Sequence, residues 1–147
     1  MADIVLGSTG IRVNKNGFGA LPIQRVDIKE AARLLNKAYN GGVRFFDTAR
    51  AYSDSEEKIH AAFSDKREKL FISTKTAATT VAEFNRDLEK SLSYLGYIDI
   101  YQFHNPSFCP KPGDGTGLYE AMLKARDEGK IRHIGLTNHR LGVAKEA

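Results

Sequence analysis

The sequence predicts an α/β protein with parallel strands joined by helices, arranged as part of a (β/α)8 barrel. Apolar runs alternate with segments of helical periodicity along the chain, and this alternation is typical of parallel strands with right-handed crossovers. Three of the runs end on ionisable residues, which are Asp47, Lys75 and His104. Because the carboxyl ends of parallel strands open on one side of a sheet, we expect these side chains to converge there.

The first elements are a β-hairpin and a short strand. Two β-rich runs flank a glycine-bearing turn in residues 3–14, which predicts the hairpin. Residues 17–21 predict a strand that ends before Pro22. Asp27 and Glu30 have the spacing of a capping box, so a helix is expected to begin there and to stop near residues 40–42.

Three strands and two helices follow in alternation. The strands are predicted near residues 43–47, 70–75 and 98–104. One helix is expected from about Ser55 to Phe63. The other is expected between the capping box of Thr80 with Glu83 and the terminating Gly96.

The last elements are separated from the rest by a long loop rich in proline and glycine. A helix that carries Leu118, Met122 and Ala125 is predicted to stop at Gly129. The final strand is expected near residues 131–137, with the start of another helix at 141–147. The prediction is therefore one domain, residues 1–147, built from a hairpin and five strands.

Two arrangements of these elements stay open, a doubly wound open sheet and a (β/α)8 barrel. The absence of a Gly-x-Gly-x-x-Gly turn after the first strand weakens the doubly wound alternative. The placement of candidate residues at strand carboxyl ends favours the barrel. A complete barrel needs about 250 residues, so five strands in 147 residues predict an incomplete one.

Composition indicates an ordinary globular protein with a mildly positive surface. Hydrophobic residues make up 41% and charged residues 27%, and the net charge is +4. Positive and negative residues are interspersed, which argues against nucleic acid as a partner. A weak positive field would suit a phosphate-bearing cofactor.

The single cysteine, Cys109, excludes a disulfide framework and predicts a free thiol in a reducing compartment. One thiol cannot form a cysteine metal site, and no metal is predicted. No apolar stretch approaches the roughly 18 residues of a membrane span, and no signal peptide is evident. These observations predict a cytoplasmic protein that does not bind a membrane.

The converging side chains suit proton delivery to a carbonyl oxygen during hydride transfer. Tyr52 is the expected acid, and an ammonium at Lys75 is expected to favour its ionised form. Asp47 would supply the counter-charge that a buried lysine needs, and His104 would orient the carbonyl. Taken singly, each residue has a structural alternative, such as a turn cap, a packing ring or a solvated charge.

The segments that carry this pattern resemble the aldo-keto reductase superfamily. They are residues 45–49 with Tyr52, 73–75, 102–104 and 134–138. The resemblance implies a barrel closed at its bottom by the hairpin, with NADP(H) as the usual cofactor and NAD(H) as the alternative. It places the catalytic tetrad on Asp47, Tyr52, Lys75 and His104. The cofactor contacts it implies are Gly19, Ala20, Asp47, Thr137 and Asn138.

Residues 21–25 and 105–110 are similar to a microbial branch of this superfamily, whose longer members carry a C-terminal iron–sulfur extension. The resemblance covers the N-terminal portion of such a barrel. We therefore expect a truncated NADP(H)-dependent reductase of aldehydes and ketones, which could self-associate through open sheet edges. The alternative is a non-catalytic half-barrel that serves as a binding or assembly module.

Overall fold

A computed structural model describes residues 3–147 and contains a five-stranded parallel sheet with helices packed along it. The first two residues of the predicted domain, Met1 and Ala2, lie outside the described residues. The strands are β1 (Asp3–Val5), β2 (Arg12–Asn14), β3 (Phe18–Gly19), β4 (Phe45–Asp47), β5 (Phe71–Thr76), β6 (Ile98–His104) and β7 (Ile131–Thr137). The helices are α1 (Ile28–Asn40), α2 (Ser55–Phe63), α3 (Val81–Leu95), α4 (Leu118–Asp127) and α5 (Leu141–Glu146).

The strand order is the chain order, as in one side of a (β/α)8 barrel. Strands β3 to β7 lie side by side in the sheet in the same order as in the chain, and every neighbouring pair is parallel. Strands β1 and β2 form a separate antiparallel hairpin. The predicted class, an α/β fold with a partial barrel, is confirmed.

Two strands are shorter than the sequence predicts. The strand expected at residues 17–21 covers only Phe18–Gly19, and a 3₁₀ turn occupies Leu21–Arg25. Pro22 lies in the first turn of that segment, where it fixes φ and donates no backbone hydrogen bond. The strand expected from residue 43 begins at Phe45, because the Val43 N–H donates to Ala38 O (3.1 Å) and still closes helix α1.

Local capping fixes where the helices begin and end. The Asp27 carboxylate accepts from Glu30 N at the start of α1, and Thr80 with Glu83 forms a reciprocal capping box at the start of α3. Helix α3 ends at Gly96, whose φ of +74° lies in the left-handed region that favours glycine.

The core lies between the sheet and the helices. Phe46 is fully buried, and its ring centroid lies 4.7 Å from that of Phe63 on α2. On the neighbouring strands, Ile72 and Tyr101 are also fully buried, and Tyr101 packs edge-on against Phe84 of α3. Burial of this apolar layer removes large side chains from water and holds the strands in register.

A second stabilising feature is a buried ion network at the amino end of β6. The Asp99 carboxylate is fully buried and accepts from Arg67 Nη2 (2.8 Å), Arg132 Nη1 (2.9 Å) and the Ile72 N–H (2.9 Å). Both guanidinium groups lie over the Tyr97 ring, at 3.9 Å and 4.6 Å from its centroid. The network therefore joins the segment of Arg67 to strands β5, β6 and β7 at the amino ends of these strands.

Strands β3 and β7 form the two edges of the five-stranded sheet. Apolar side chains near them, including Phe18, Ile134 and Leu136, are only partly buried. Within residues 3–147, no helix has both the length and the apolar character needed to cross a bilayer.

Candidate active site

The site is built at the carboxyl ends of strands β4, β5 and β6. Asp47 is the last residue of β4, Lys75 the last but one of β5, and His104 the last of β6. Tyr52 lies in the loop between β4 and α2, which closes with Tyr52 N donating to Ala49 O (3.0 Å) and Ser55 N to Tyr52 O (2.8 Å). The structure brings all four side chains together.

Asp47 and Lys75 form a direct ion pair. Lys75 Nζ donates to Asp47 Oδ2 (2.6 Å) and to the carbonyl oxygen of Thr48 (2.7 Å). Lys75 is only 5% exposed, whereas the Asp47 side chain is 36% exposed. A buried ammonium requires such partners, because its desolvation is otherwise costly.

The Tyr52 ring lies close to both the Lys75 ammonium and the His104 ring. Lys75 Nζ lies 5.3 Å from the ring centroid, which is cation–π range. The His104 ring stands edge-on to Tyr52, with centroids 5.6 Å apart and an interplanar angle of 85°. Both rings are half-buried, so each keeps some surface exposed.

The pKa of Tyr52 differs from the sequence-based expectation. Burial raises the pKa of this phenol above its ordinary value, and the negative charge of Asp47 raises it further. The expected lowering by Lys75 is absent; the ammonium is bonded to Asp47 and lies 5.3 Å from the centroid of the Tyr52 ring. Tyr52 is therefore a fully protonated phenol at neutral pH, able to donate a proton.

The pKa of His104 is lowered from its ordinary value of 6.5. Burial is the first cause and the positive charge of Lys75 the second; Asp47 opposes them, and His139 adds a smaller lowering. The imidazole is thus mainly neutral at pH 7, with one nitrogen that donates and one that accepts.

We predict that the His104 imidazole titrates below pH 6.5, measured by NMR on histidine-labelled protein and assigned with His104→Gln. Because the folded pKa is lower than the unfolded one, His104 stabilises the fold above about pH 6.5, and this contribution is lost as the pH falls through the folded pKa. In Lys75→Met the midpoint of the His104 titration should rise, since a positive neighbour is removed and Asp47 is left unpaired. A wild-type midpoint at or above 6.5 would contradict the geometry.

The first two predicted cofactor contacts, Gly19 and Ala20, differ in their exposure. Gly19 pairs with Asp47 across the sheet, and a Cβ at Gly19 would meet no atom within 4 Å, so this position borders open space. Ala20 is fully buried, its N–H donates to Asp47 O (2.8 Å), and its carbonyl accepts from Ser55 Oγ (3.2 Å). The structure therefore brings Gly19, but not the Ala20 side chain, to the site.

The second pair lies at the end of β7. Thr137 is opposite His104 in the sheet register, and both Thr137 and Asn138 are half-buried. Asn138 Nδ2 donates to Pro106 O (2.6 Å), and its Oδ1 accepts from Arg140 N (2.7 Å). The amide retains one N–H and one lone pair for a further partner.

Two charged residues behind the site were not singled out from the sequence. Glu56 is 1% exposed, and it accepts from Arg50 in the loop that carries Tyr52. In the sequence, Glu56 belongs to a run of charged residues that is typical of a solvated first helical turn. Only the folded arrangement identifies it as buried.

Parallel strands whose carboxyl ends carry an ion pair, a half-buried phenol and an imidazole define a barrel-type α/β protein with its site at the strand ends. The sequence model of the Aldo/keto reductase family matches residues 4–147. The chain belongs to this family.

Known proteins of this family match both the sequence and the fold. An aldo-keto reductase of Mycobacterium avium is 32% identical over 124 residues, which are 80% of this chain and 43% of the relative. The holo form of aldo-keto reductase AKR11C1 from Bacillus halodurans superposes with a TM-score of 0.86 at 26% identity, covering 99% of this chain and 53% of that one. An aldo-keto reductase from Klebsiella pneumoniae, solved in complex with NADPH, superposes with a TM-score of 0.80 at 26% identity, covering 92% and 49%.

The chain spans about half the length of the curated relatives that it matches, between 43% and 49% for those of M. avium, Bacillus subtilis and Arabidopsis thaliana.

Proposed function

We propose that the chain carries the proton-transfer site of an NADP(H)-dependent oxidoreductase that reduces the carbonyl group of aldehydes or ketones. The observation that carries this proposal is the convergence of four side chains of complementary chemistry on one open strand end. They are Asp47, Tyr52, Lys75 and His104.

NADP(H) is the cofactor that the relatives favour, because the K. pneumoniae structure is a complex with NADPH. When bound, this cofactor supplies the hydride for carbonyl reduction. The residues at the site suit its carboxamide and ribose. Gly19 borders open space, Asn138 has hydrogen-bonding capacity left, and the structure gives no partner for the Thr137 hydroxyl among residues 3–147. With Asp47, these residues are the proposed contacts.

The four side chains divide the proton chemistry among them. The Tyr52 hydroxyl donates the proton that the carbonyl oxygen needs as it becomes an alkoxide. His104, neutral at pH 7, donates a hydrogen bond that orients the same oxygen. In the neutral phenol, burial and Asp47 raise the pKa of Tyr52. As the Tyr52 anion forms during proton transfer, the Lys75 ammonium, which Asp47 holds in place, supplies the positive charge that stabilises it.

The experiment that tests this proposal is an assay of NADPH oxidation by the purified chain with a reactive aromatic aldehyde. We expect aldehyde-dependent loss of NADPH absorbance and formation of the corresponding alcohol in equal amounts. A matched sample without aldehyde measures background oxidation. Binding of NADPH without any alcohol product would exclude the catalytic proposal for this chain.

The second candidate is a non-catalytic half-barrel that binds a partner or a second copy of itself. The observation that favours it is the pair of open edges, β3 and β7, beside partly buried apolar side chains. Titration of NADPH fluorescence with sedimentation analysis distinguishes the two. Saturable NADPH binding by a monomer supports the reductase, whereas a stable oligomer that leaves NADPH fluorescence unchanged supports the module. A cytoplasmic location remains a prediction from the sequence.

A further inference from the structure

A buried ion pair lies directly behind the loop that carries Tyr52. Glu56, in the first turn of α2, is 1% exposed, and the Arg50 side chain is 19% exposed. Arg50 Nη1 donates to Glu56 Oε2. The other carboxylate oxygen, Oε1, accepts from the hydroxyls of Thr74 (2.6 Å) and Ser91 (2.8 Å).

The two hydroxyl bonds hold the Glu56 carboxylate in place. Thr74 lies on β5 and Ser91 on α3, so the carboxylate is held by two elements that belong to the core. A buried carboxylate with three donors has little freedom to move. Arg50 is thereby anchored at one end.

The other contacts of Arg50 lie on both sides of Tyr52. On one side, the backbone N–H of Arg50, which precedes the tyrosine in the chain, donates to the carbonyl of Lys75 (2.9 Å). Its Nη2 donates to the carbonyl of Ser53 (3.1 Å), the residue directly after the tyrosine. A single side chain and its own backbone therefore hold the short turn from which the phenol projects.

The turn has a conformation that needs such support. Ser53 has a φ of +40°, in the left-handed region that residues with side chains rarely adopt. The Ser53 hydroxyl donates to Gln24 Oε1 (3.1 Å), and this bond and the Arg50–Ser53 bond are both exposed to solvent. Arg50 supplies the bond to the backbone at this position, and its guanidinium is anchored on a buried partner.

We propose that the Arg50–Glu56 pair positions Tyr52, holding residues 50–53 so that the phenol stays over the Lys75 ammonium and against the His104 ring. Arg50 and Glu56 are positioning residues, since neither contacts the expected place of the substrate. This inference rests on the proposed function for its effect on catalysis. The geometry of Tyr52 can be measured without any turnover.

The test measures the Tyr52–His104 contact by NMR in labelled protein, with Tyr52 assigned through Tyr52→Phe. In Arg50→Met and Glu56→Gln we expect loss of the nuclear Overhauser effect between the two rings. The pKa of Tyr52 should fall toward its ordinary value as the phenol becomes exposed. Arg50→Lys keeps the charge but loses the two-donor geometry, so it should weaken the contact while the chain stays folded.

Asp99→Asn is the matched control, because it disrupts another buried ion network at the opposite strand ends. It should destabilise the fold and leave the Tyr52–His104 contact unchanged. If the contact survives in Arg50→Lys and Arg50→Met, or is lost equally in Asp99→Asn, the positioning role is wrong.

Turnover provides the second readout. Displacement of a catalytic group by about 1 Å can cost roughly 100-fold in rate, so we expect kcat to fall by up to about 100-fold in Arg50→Met with little change in KM. A KM that rises by a similar factor while kcat stays unchanged would contradict a positioning role. If Tyr52→Phe does not alter turnover, the proposed function fails, while the NMR contacts still decide the role of Arg50 and Glu56.

Discussion

Replacement of Tyr52 by phenylalanine is expected to lower the rate of carbonyl reduction by about 10²- to 10⁴-fold, the usual contribution of a positioned general acid. The substitution removes the hydroxyl and keeps the ring, so the packing against His104 and the position over Lys75 should persist. NADPH binding should be unchanged. The measurement is the rate of aldehyde-dependent NADPH oxidation, with cofactor binding followed by fluorescence.

Tyr119→Phe is the matched control for this substitution. Tyr119 lies in the first turn of α4 and is not one of the proposed site residues, so loss of its hydroxyl should leave turnover unaltered. If Tyr52→Phe retains the wild-type rate, the proton comes from another group, and the assignment of Tyr52 as the acid is wrong.

Replacement of Asp99 by asparagine is expected to lower the free energy of unfolding by about 2–4 kcal/mol. The carboxylate accepts from two guanidinium groups and one backbone N–H while fully buried. Asparagine has one acceptor oxygen and one N–H₂ group, so at least one of these donors would face an N–H₂ group and lose its bond. Urea denaturation followed by circular dichroism measures the effect.

Asp127→Asn is the comparison for the stability measurement. Asp127 pairs with Arg126 on the surface, where its side chain is 68% exposed, and solvent screening leaves such pairs with little net effect. We expect its denaturation midpoint to match the wild type. A midpoint for Asp99→Asn equal to that of Asp127→Asn would show that the buried network does not stabilise the fold.

The positions of the strands and of the four converging residues could be predicted from the sequence because the relevant signals are local. Asp47, Lys75 and His104 each end an apolar run, and topology alone then places them on one side of the sheet. The helix starts were predictable for the same reason, since Asp27 and the Thr80–Glu83 box act within a single turn.

The buried charges could not be predicted, because their partners are distant in the chain. Glu56 bonds Ser91, and Lys58, which is 3% exposed, donates to the carbonyl of Ile23 (3.0 Å). Both belong to a charged helical run that would normally face solvent. Only the packing of α2 between neighbouring elements determines that these two side chains point inward.

The pKa of Tyr52 shows a different limit of sequence reasoning. A lysine near a tyrosine is expected to lower the pKa of the phenol, but the outcome depends on where the ammonium points. Here Lys75 is bonded to Asp47, and burial of Tyr52 dominates. The order of residues in the chain predicts the members of the site, and their orientation sets its electrostatics.

Transfer of deuterium from NADPH to an aldehyde tests most directly whether this cluster is a carbonyl-reducing site. The chain is incubated with a reactive aldehyde and NADPH that carries deuterium at both C4 positions, and the alcohol is analysed by mass spectrometry. We expect one deuterium on the former carbonyl carbon of each alcohol molecule, and product formation that drops sharply in Tyr52→Phe. Alcohol without deuterium, or deuterated alcohol formed equally fast by Tyr52→Phe, would contradict the assignment.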